Sequence, residues 1–347
     1  MGILRKEKEE REQKEEKFIA RDKKNFNSDS RSRRKKKDPA PWGKKERYLI
    51  FFVLSATILA SVILAFSARN WKLPGLSRIA FPSFRSGTIV IEKDKAELDE
   101  TAKEVISSFK EKTKSLSGVY GLYIIRLDNG VSYGVNENDT FEPASLNKLP
   151  VMLAMYLEAE KGSINLETTY ILKSSDKVAG SGSLYGKPEG FELTYREILS
   201  YMGKESDNTA ANIARNLLGE EKIKQAIEIS GMENTVVIGE DQKTTPYDIG
   251  LFFEKLWEGD VISKKHKDEL LGFLTDTIYE EWLAAGIPSS IDVAHKYGRE
   301  IHVVNDAGIL FTDEPFILVL LSKGVVEREA DQAFPEISKA IYNQEAK

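Results

Sequence analysis

Apolar and polar positions divide this 347-residue chain into stretches of different period. Residues 1–47 are almost wholly polar and show no apolar repeat, so they cannot bury a core. Residues 48–66 (YLIFFVLSATILASVILAF) carry no charge and no polar stripe. Pro74, Gly75, Pro82 and Gly87 then break the pattern and mark 67–87 as a linker. Folded-domain patterning starts at Thr88. Residues 88–91 read as a short strand, and Leu98, Ala102, Val105, Ile106 and Phe109 fall on one helical face. Residues 119–126 and 131–135 are strand-like and flank Asp128-Asn129-Gly130, a hairpin signal.

From Ser145 to about Ile287 the spacing is nearly all helical. Thr194 and Glu197 form a capping box. Ser206-Asp207-Asn208 caps a helix that ends near Gly219, Thr245-Pro246 starts another with proline at its first position, and Ser263 caps a third. The period then returns to two over 291–297, 301–311 and 316–321, the last two runs being separated by a turn at 312–315. Ala330, Ala333, Phe334, Ile337 and Ile341 share one face of a last helix, with a bend expected at Pro335. The sum is an α+β fold: an antiparallel sheet flanked by terminal helices beside an all-α lobe, a cleft between them, and one transmembrane helix in front.

Charge sharpens the N-terminal picture. Residues 1–47 hold 18 Lys and Arg against 10 Asp and Glu, a net of +8, which leaves −13 on the rest. As a helix, 48–66 would span about 28 Å, close to the thickness of a bilayer core. The positive flank predicts a cytoplasmic N-terminus and an extracytoplasmic domain over 88–347. A cleavable signal peptide is the rival reading. However, Ala65-Phe66-Ser67 is a poor cleavage site, and 47 preceding residues exceed an ordinary n-region, so an uncleaved single-pass anchor is expected. The tail should be disordered. Its basic block at 31–37 admits a nucleic-acid reading, which ranks last; no nucleic acid is expected. Trp71, Phe81 and Phe84 among Lys72, Arg78 and Arg85 suit either a membrane surface or a plain tether.

The chain has no cysteine and only His266, His295 and His302. That excludes thiolate chemistry, makes a zinc site or a Ser-His-Asp triad a poor fit, and leads to no expected metal or cofactor. What remains is Ser145-Leu-Asn-Lys148 at the start of an apolar run. Three residues apart on a helix, the serine and lysine share a face. Ser-x-x-Lys also occurs at Ser32, Ser107 and Ser174, so alone it signifies no more than a cap and a solvated lysine. Downstream stand Ser206-Asp207-Asn208 and Lys296-Tyr297-Gly298, and the three motifs in this order form a set tied to serine acyl transfer.

Residues 88–345 resemble a class A β-lactamase or a related penicillin-recognising serine hydrolase. The resemblance rests on Phe141 to Lys148, Gly180-Ser-Gly182, Leu193 to Leu199, Ser206 to Asn212, Thr244-Thr-Pro246, His295 to Gly298 and Asn305 to Gly308. It implies Ser145 as nucleophile, Lys148 as its base once burial and Lys296 depress its pKa, and Ser206 as proton relay to the leaving nitrogen. It also implies that Asn208 grips a substrate amide and Lys296 attracts a carboxylate and Ser206. The N–H groups of Ser145 and Arg299 would hold the oxyanion, with Gly298 letting substrate lie close to the strand. The expected partner is a β-lactam or a D-Ala-D-Ala-like peptidoglycan peptide; the oligomeric state stays open. Two departures stand out. Tyr297 replaces a small hydroxyl, and no Glu-x-x-Leu-Asn pattern lies between Asn208 and Thr244, where Glu240 with Asp241 is the stand-in for a deacylating base. Slow deacylation follows, and a non-turnover penicillin-binding sensor or cell-wall scaffold is the alternative.

Overall fold

The computed structural model describes residues 99–259 and 261–346, together with Gly43, Tyr48, residues 51–55 and Thr57. By its contacts the chain divides after Ile89. In the first unit, Tyr48, residues 51–55 and Thr57 are helical and exposed. Among the described residues no helix is long and apolar enough to cross a membrane. The rest of the expected span, the linker and the strand expected at 88–91 lie outside the described residues.

In the second unit, helix α1 (Glu100–Thr113) is capped by Asp99, whose carboxylate accepts from the Ala102 N–H at 2.8 Å. Strands β1 (Val119–Arg126) and β2 (Ser132–Val135) form the expected hairpin. The chain returns to the sheet only at β5 (Val293–Glu300), β6 (Val303–Leu310) and β7 (Phe316–Lys323), which close an antiparallel sheet of order β2-β1-β7-β6-β5. Strand β5 is therefore an edge. Helix α8 (Glu327–Glu345) packs against α1 and runs on through Pro335.

In sequence, the helical block comes between β2 and β5: α2 (Leu149–Glu160), α3 (Tyr195–Lys204), α4 (Asn208–Leu218), α5 (Glu220–Ile229), α6 (Pro246–Glu258) and α7 (Lys264–Phe273). The block is not purely helical. Thr169–Ile171 and Glu192–Thr194 pair as a small antiparallel ladder, β3 and β4, too short to show a period in the sequence. Helix α2 is buried nearly all round, as an apolar helix without a polar stripe must be.

The period of two sorts side chains between two cores. Ile317, Val319 and Leu321 face the core shared with the helical lobe, while Phe316, Leu318 and Leu320 face the terminal helices. At full burial each such side chain contributes roughly 1.5–3 kcal/mol. Arg126 joins Asp99 to Glu345, tying the start of α1 to the end of α8 across β1.

Candidate active site

Ser145 sits in a 3₁₀ turn, Ala144–Lys148, that leads directly into α2. The first turn of an α-helix was expected. The tighter winding eclipses residues three apart, which aligns Lys148 under Ser145 more closely than an α-turn would. Ala144 just before the serine has φ 48°, a left-handed conformation that alanine adopts at a cost. The turn is held in place from outside. Phe141 exchanges two backbone hydrogen bonds of 2.9 Å with Thr244, and the Asn305 amide donates to Glu142 O at 2.8 Å. The Thr244-Thr-Pro246 and Asn305 motifs are thus scaffolding for the turn, and Thr245 also caps α6.

Lys148 is 2% exposed. Its Nζ lies 3.0 Å from Ser145 Oγ, 2.5 Å from Ser206 O, 2.7 Å from Asn208 Oδ1 and 3.2 Å from Ser206 Oγ. The Asn208 amide is oriented by its own Nδ2, which donates to Ala179 O at 3.0 Å. Burial, then Lys296, then Arg215 push the Lys148 ammonium down to about 6. A neutral amine has two N–H groups. Ser206 O and Asn208 Oδ1 can only accept, so they take both, and the lone pair is left for the Ser145 hydroxyl to donate to.

Ser206 is buried and has φ 51°. This backbone outlier is fixed by Asp207, the cap of α4, whose carboxylate accepts from Ala210 N and Leu184 N at 2.8 Å each. Backbone strain of this kind persists only where the surroundings over-determine it. Gly180 and Gly182 bring their loop against this motif. A Cβ at 180 would stand 2.7 Å from Asn208 Nδ2, and one at 182 would stand 2.0 Å from Asp207 Oδ2.

Strand β5 forms the other wall. A Cβ on Gly298 would lie 2.8 Å from Ser145 N and 2.9 Å from Leu146 Cδ1. The glycine thus lets the strand approach the Ser145 turn closely. The Arg299 N–H follows directly on that strand, while its side chain is turned to Asp331 at 2.7 Å. Lys296 is buried, and burial lowers its ammonium to about 7 with Asp306 opposing. Its Nζ donates to Tyr297 O at 3.1 Å; the expected bond to Ser206 is not made in this structure.

Three groupings were not foreseen. Tyr297 turns to the terminal-helix face of the sheet and stacks on Trp282, centroids 3.7 Å apart at 12°, and on Tyr279 at 5.1 Å. His295 is fully buried between Asp306 (2.8 Å) and Glu280 (3.2 Å). Asn147, one residue before Lys148, accepts from Arg215 and donates to Gln242, each at 2.7 Å. Arg215 and Gln242 also line a cavity of about 390 Å³ with Ile223 and Val237. Glu240 and Asp241, the expected stand-ins for a deacylating base, are exposed; Gln242 is the residue of that segment that reaches the nucleophile turn. The sequence signals for these groupings were Tyr297, which stands where a small hydroxyl is expected, and His295 in the motif that ends at Gly298. Among the described residues no cluster of His, Cys, Asp or Glu could hold a metal ion.

A family model described as "Beta-lactamase enzyme family" matches residues 97–344. Beta-lactamase VEB-1 of Pseudomonas aeruginosa is 24% identical over 258 residues, spanning 66% of this chain and 86% of that protein. Among solved structures, PBP-A superposes with a TM-score of 0.65 at 24% identity, covering 71% of this chain and 96% of its own. A mutant of PBP-A, described as an acyl-enzyme complex with penicillin G, gives 0.64 at 24% identity over 70% and 95%. At these identities the structural likenesses speak for the fold.

Proposed function

The chain belongs to the Beta-lactamase enzyme family, and from that premise we propose a membrane-anchored, extracytoplasmic serine hydrolase acylated on Ser145. The observation that carries this reading is the 3.0 Å contact between Lys148 Nζ and Ser145 Oγ, around an amine that burial keeps largely neutral at pH 7. The neutral amine takes the hydroxyl proton as Oγ attacks the carbonyl carbon of a β-lactam or a D-Ala-D-Ala-like peptide. The N–H groups of Ser145 and Arg299 receive the oxyanion. As the C–N bond breaks, Ser206 passes a proton to the leaving nitrogen, and Asn208 and Lys296 hold the substrate's amide and carboxylate. PBP-A, described with penicillin G as an acyl-enzyme, supplies the precedent for the covalent step.

Release is the slow half of this reaction. Glu240 and Asp241 stand exposed, and the side chain of that segment nearest the nucleophile turn is an amide, which is no general base. The same observation favours the second reading, a sensor or cell-wall scaffold that stays acylated without turnover. Anchoring is supported by the uncharged 48–66 run, its basic flank, and the exposed Tyr48, Phe51, Phe52 and Leu54 on the described helix.

The experiment is labelling of the full-length protein, in membranes, with a fluorescent penicillin. One band, absent in Ser145→Ala and retained in the membrane pellet after alkaline carbonate washing, is expected. An unlabelled wild type, or a labelled Ser145→Ala, would overturn the nucleophile; a band in the supernatant would overturn the anchor.

A further inference from the structure

The two walls of the cleft are joined by one side chain. The Tyr279 hydroxyl lies 2.7 Å from Ser181 Oγ, on the loop that also receives the Asn208 N–H through Ser181 O at 3.0 Å. Ser181 is itself anchored: its hydroxyl donates to Glu205 O at 3.1 Å, the residue before Ser206. At its other side the Tyr279 ring lies on Tyr297, its plane 28° from parallel, and Tyr297 precedes the glycine packed on Ser145. Tyr297 is in turn fixed against Trp282, whose Nε1 donates to Asp331 of α8 at 2.8 Å. The segment carrying Tyr279 is fastened too, since Thr277 N–H and hydroxyl both donate to Glu280, and Glu280 meets the buried His295.

We infer that Tyr279 is a specificity-determining residue of the cleft, a bar across its mouth that admits slim acyl donors to Ser145 and holds back those with a bulky group extending between Asn208 and β5. The inference deepens the reading of this cleft as the substrate site. Its physical basis is steric and polar together. The side chain reaches from the stack on Tyr297 to the Ser181 loop, and displacing it breaks one part-buried hydrogen bond and one aromatic stack, each a small but definite cost. Tyr297 and Trp282 are already buried against each other, so their faces are not open to a ligand.

Access can be measured apart from acyl chemistry. The chain has no cysteine, so Ser145→Cys carries its sole thiol. In the full-length protein this thiol is treated with methyl or benzyl methanethiosulfonate, which deliver a small or a bulky group through the same reaction. The ratio of benzyl to methyl rates reports the opening. Adding Tyr279→Phe, which removes only the Tyr279–Ser181 hydrogen bond, should raise the ratio about 2- to 12-fold. Adding Tyr279→Ala should raise it by at least about fivefold, since the stack is lost as well. A ratio within twofold of the parent in Tyr279→Ala overturns the bar. A change in Tyr279→Ala without one in Tyr279→Phe overturns the role of the hydroxyl. A wild type that no penicillin labels would sink the nucleophile reading and leave this measurement standing, because the thiol reagents need only a path.

Discussion

Gly298 and Ser145 are packed so closely that a Cβ at position 298 would stand 2.8 Å from the serine's backbone nitrogen. The strand edge and the nucleophile turn are thereby set as one unit, with Leu146 and Pro143 O closing the same contact. Gly298→Ala must push β5 away from the turn. Misplacement on the ångström scale costs on the order of 100-fold in rate, and overpacking about 1–3 kcal/mol in stability. Penicillin acylation of this variant should slow by that order while its denaturation midpoint falls modestly.

Lys148 should set the acid limb of acylation. With its amine held near 6 by burial, by Lys296 and by Arg215, the rate should climb about tenfold per pH unit below that value and level off above it. Rapid-quench labelling from pH 4.5 to 8.5 reads this directly. A limb that does not break near 6 would point to another base.

The same group makes stability depend on pH. Between about 6 and 10.5 the unfolded chain binds a proton that the folded Lys148 does not, so this group's contribution to stability rises with pH across that window. Lys148→Met removes the burden. It should abolish acylation yet be more stable than the wild type at pH 7, with the gap narrowing as pH rises toward 10. Urea titrations of both proteins at several pH values test the sign.

His295 works in the opposite direction. Burial disfavours its charge, but Asp306 and Glu280 outweigh burial and raise it to about 9. Its stabilising contribution is full below the ordinary histidine value near 6.5 and is lost as pH rises through about 9. His295→Gln leaves the fully buried Asp306 without its cation and should cost about 3–5 kcal/mol at pH 6. The difference from wild type should shrink by pH 9.5, again by urea denaturation.

Glu240 stands exposed, apart from the hydrogen bond that joins Gln242 to the Ser145 turn. Glu240→Gln should therefore leave the lifetime of the penicillin adduct within about twofold, since surface changes away from such networks have small effects. A much longer-lived adduct in this variant would reinstate Glu240 as the deacylating base.

Local signals carried far into the fold. The Asp128-Asn129-Gly130 hairpin, the Thr194 and Thr245 caps and the alternation along β7 were legible because each is decided within a few residues. The β3–β4 ladder was not, because three-residue strands give no period. Ser145 and Lys148 could be paired from spacing, but i and i+3 fit an α-turn and a 3₁₀ turn equally, so the winding had to be seen. Arg215 influences Lys148 through space from another helix, and nothing in its own neighbourhood of sequence announces that. Tyr279 and Trp282 lie in an aperiodic segment and acquire meaning only from Tyr297, more than a dozen residues later, which turns its ring to them.

The central claim is that Ser145, activated by Lys148, becomes covalently acylated and releases the acyl group slowly. Intact-mass spectrometry of the full-length protein mixed with penicillin G, followed over time and then digested, tests it most directly. A shift by the mass of one penicillin is expected, located on the peptide carrying Ser145, persisting for many minutes and absent in Lys148→Met. No mass shift at any time, with the penicillin left intact, or an adduct on a different residue, would contradict it.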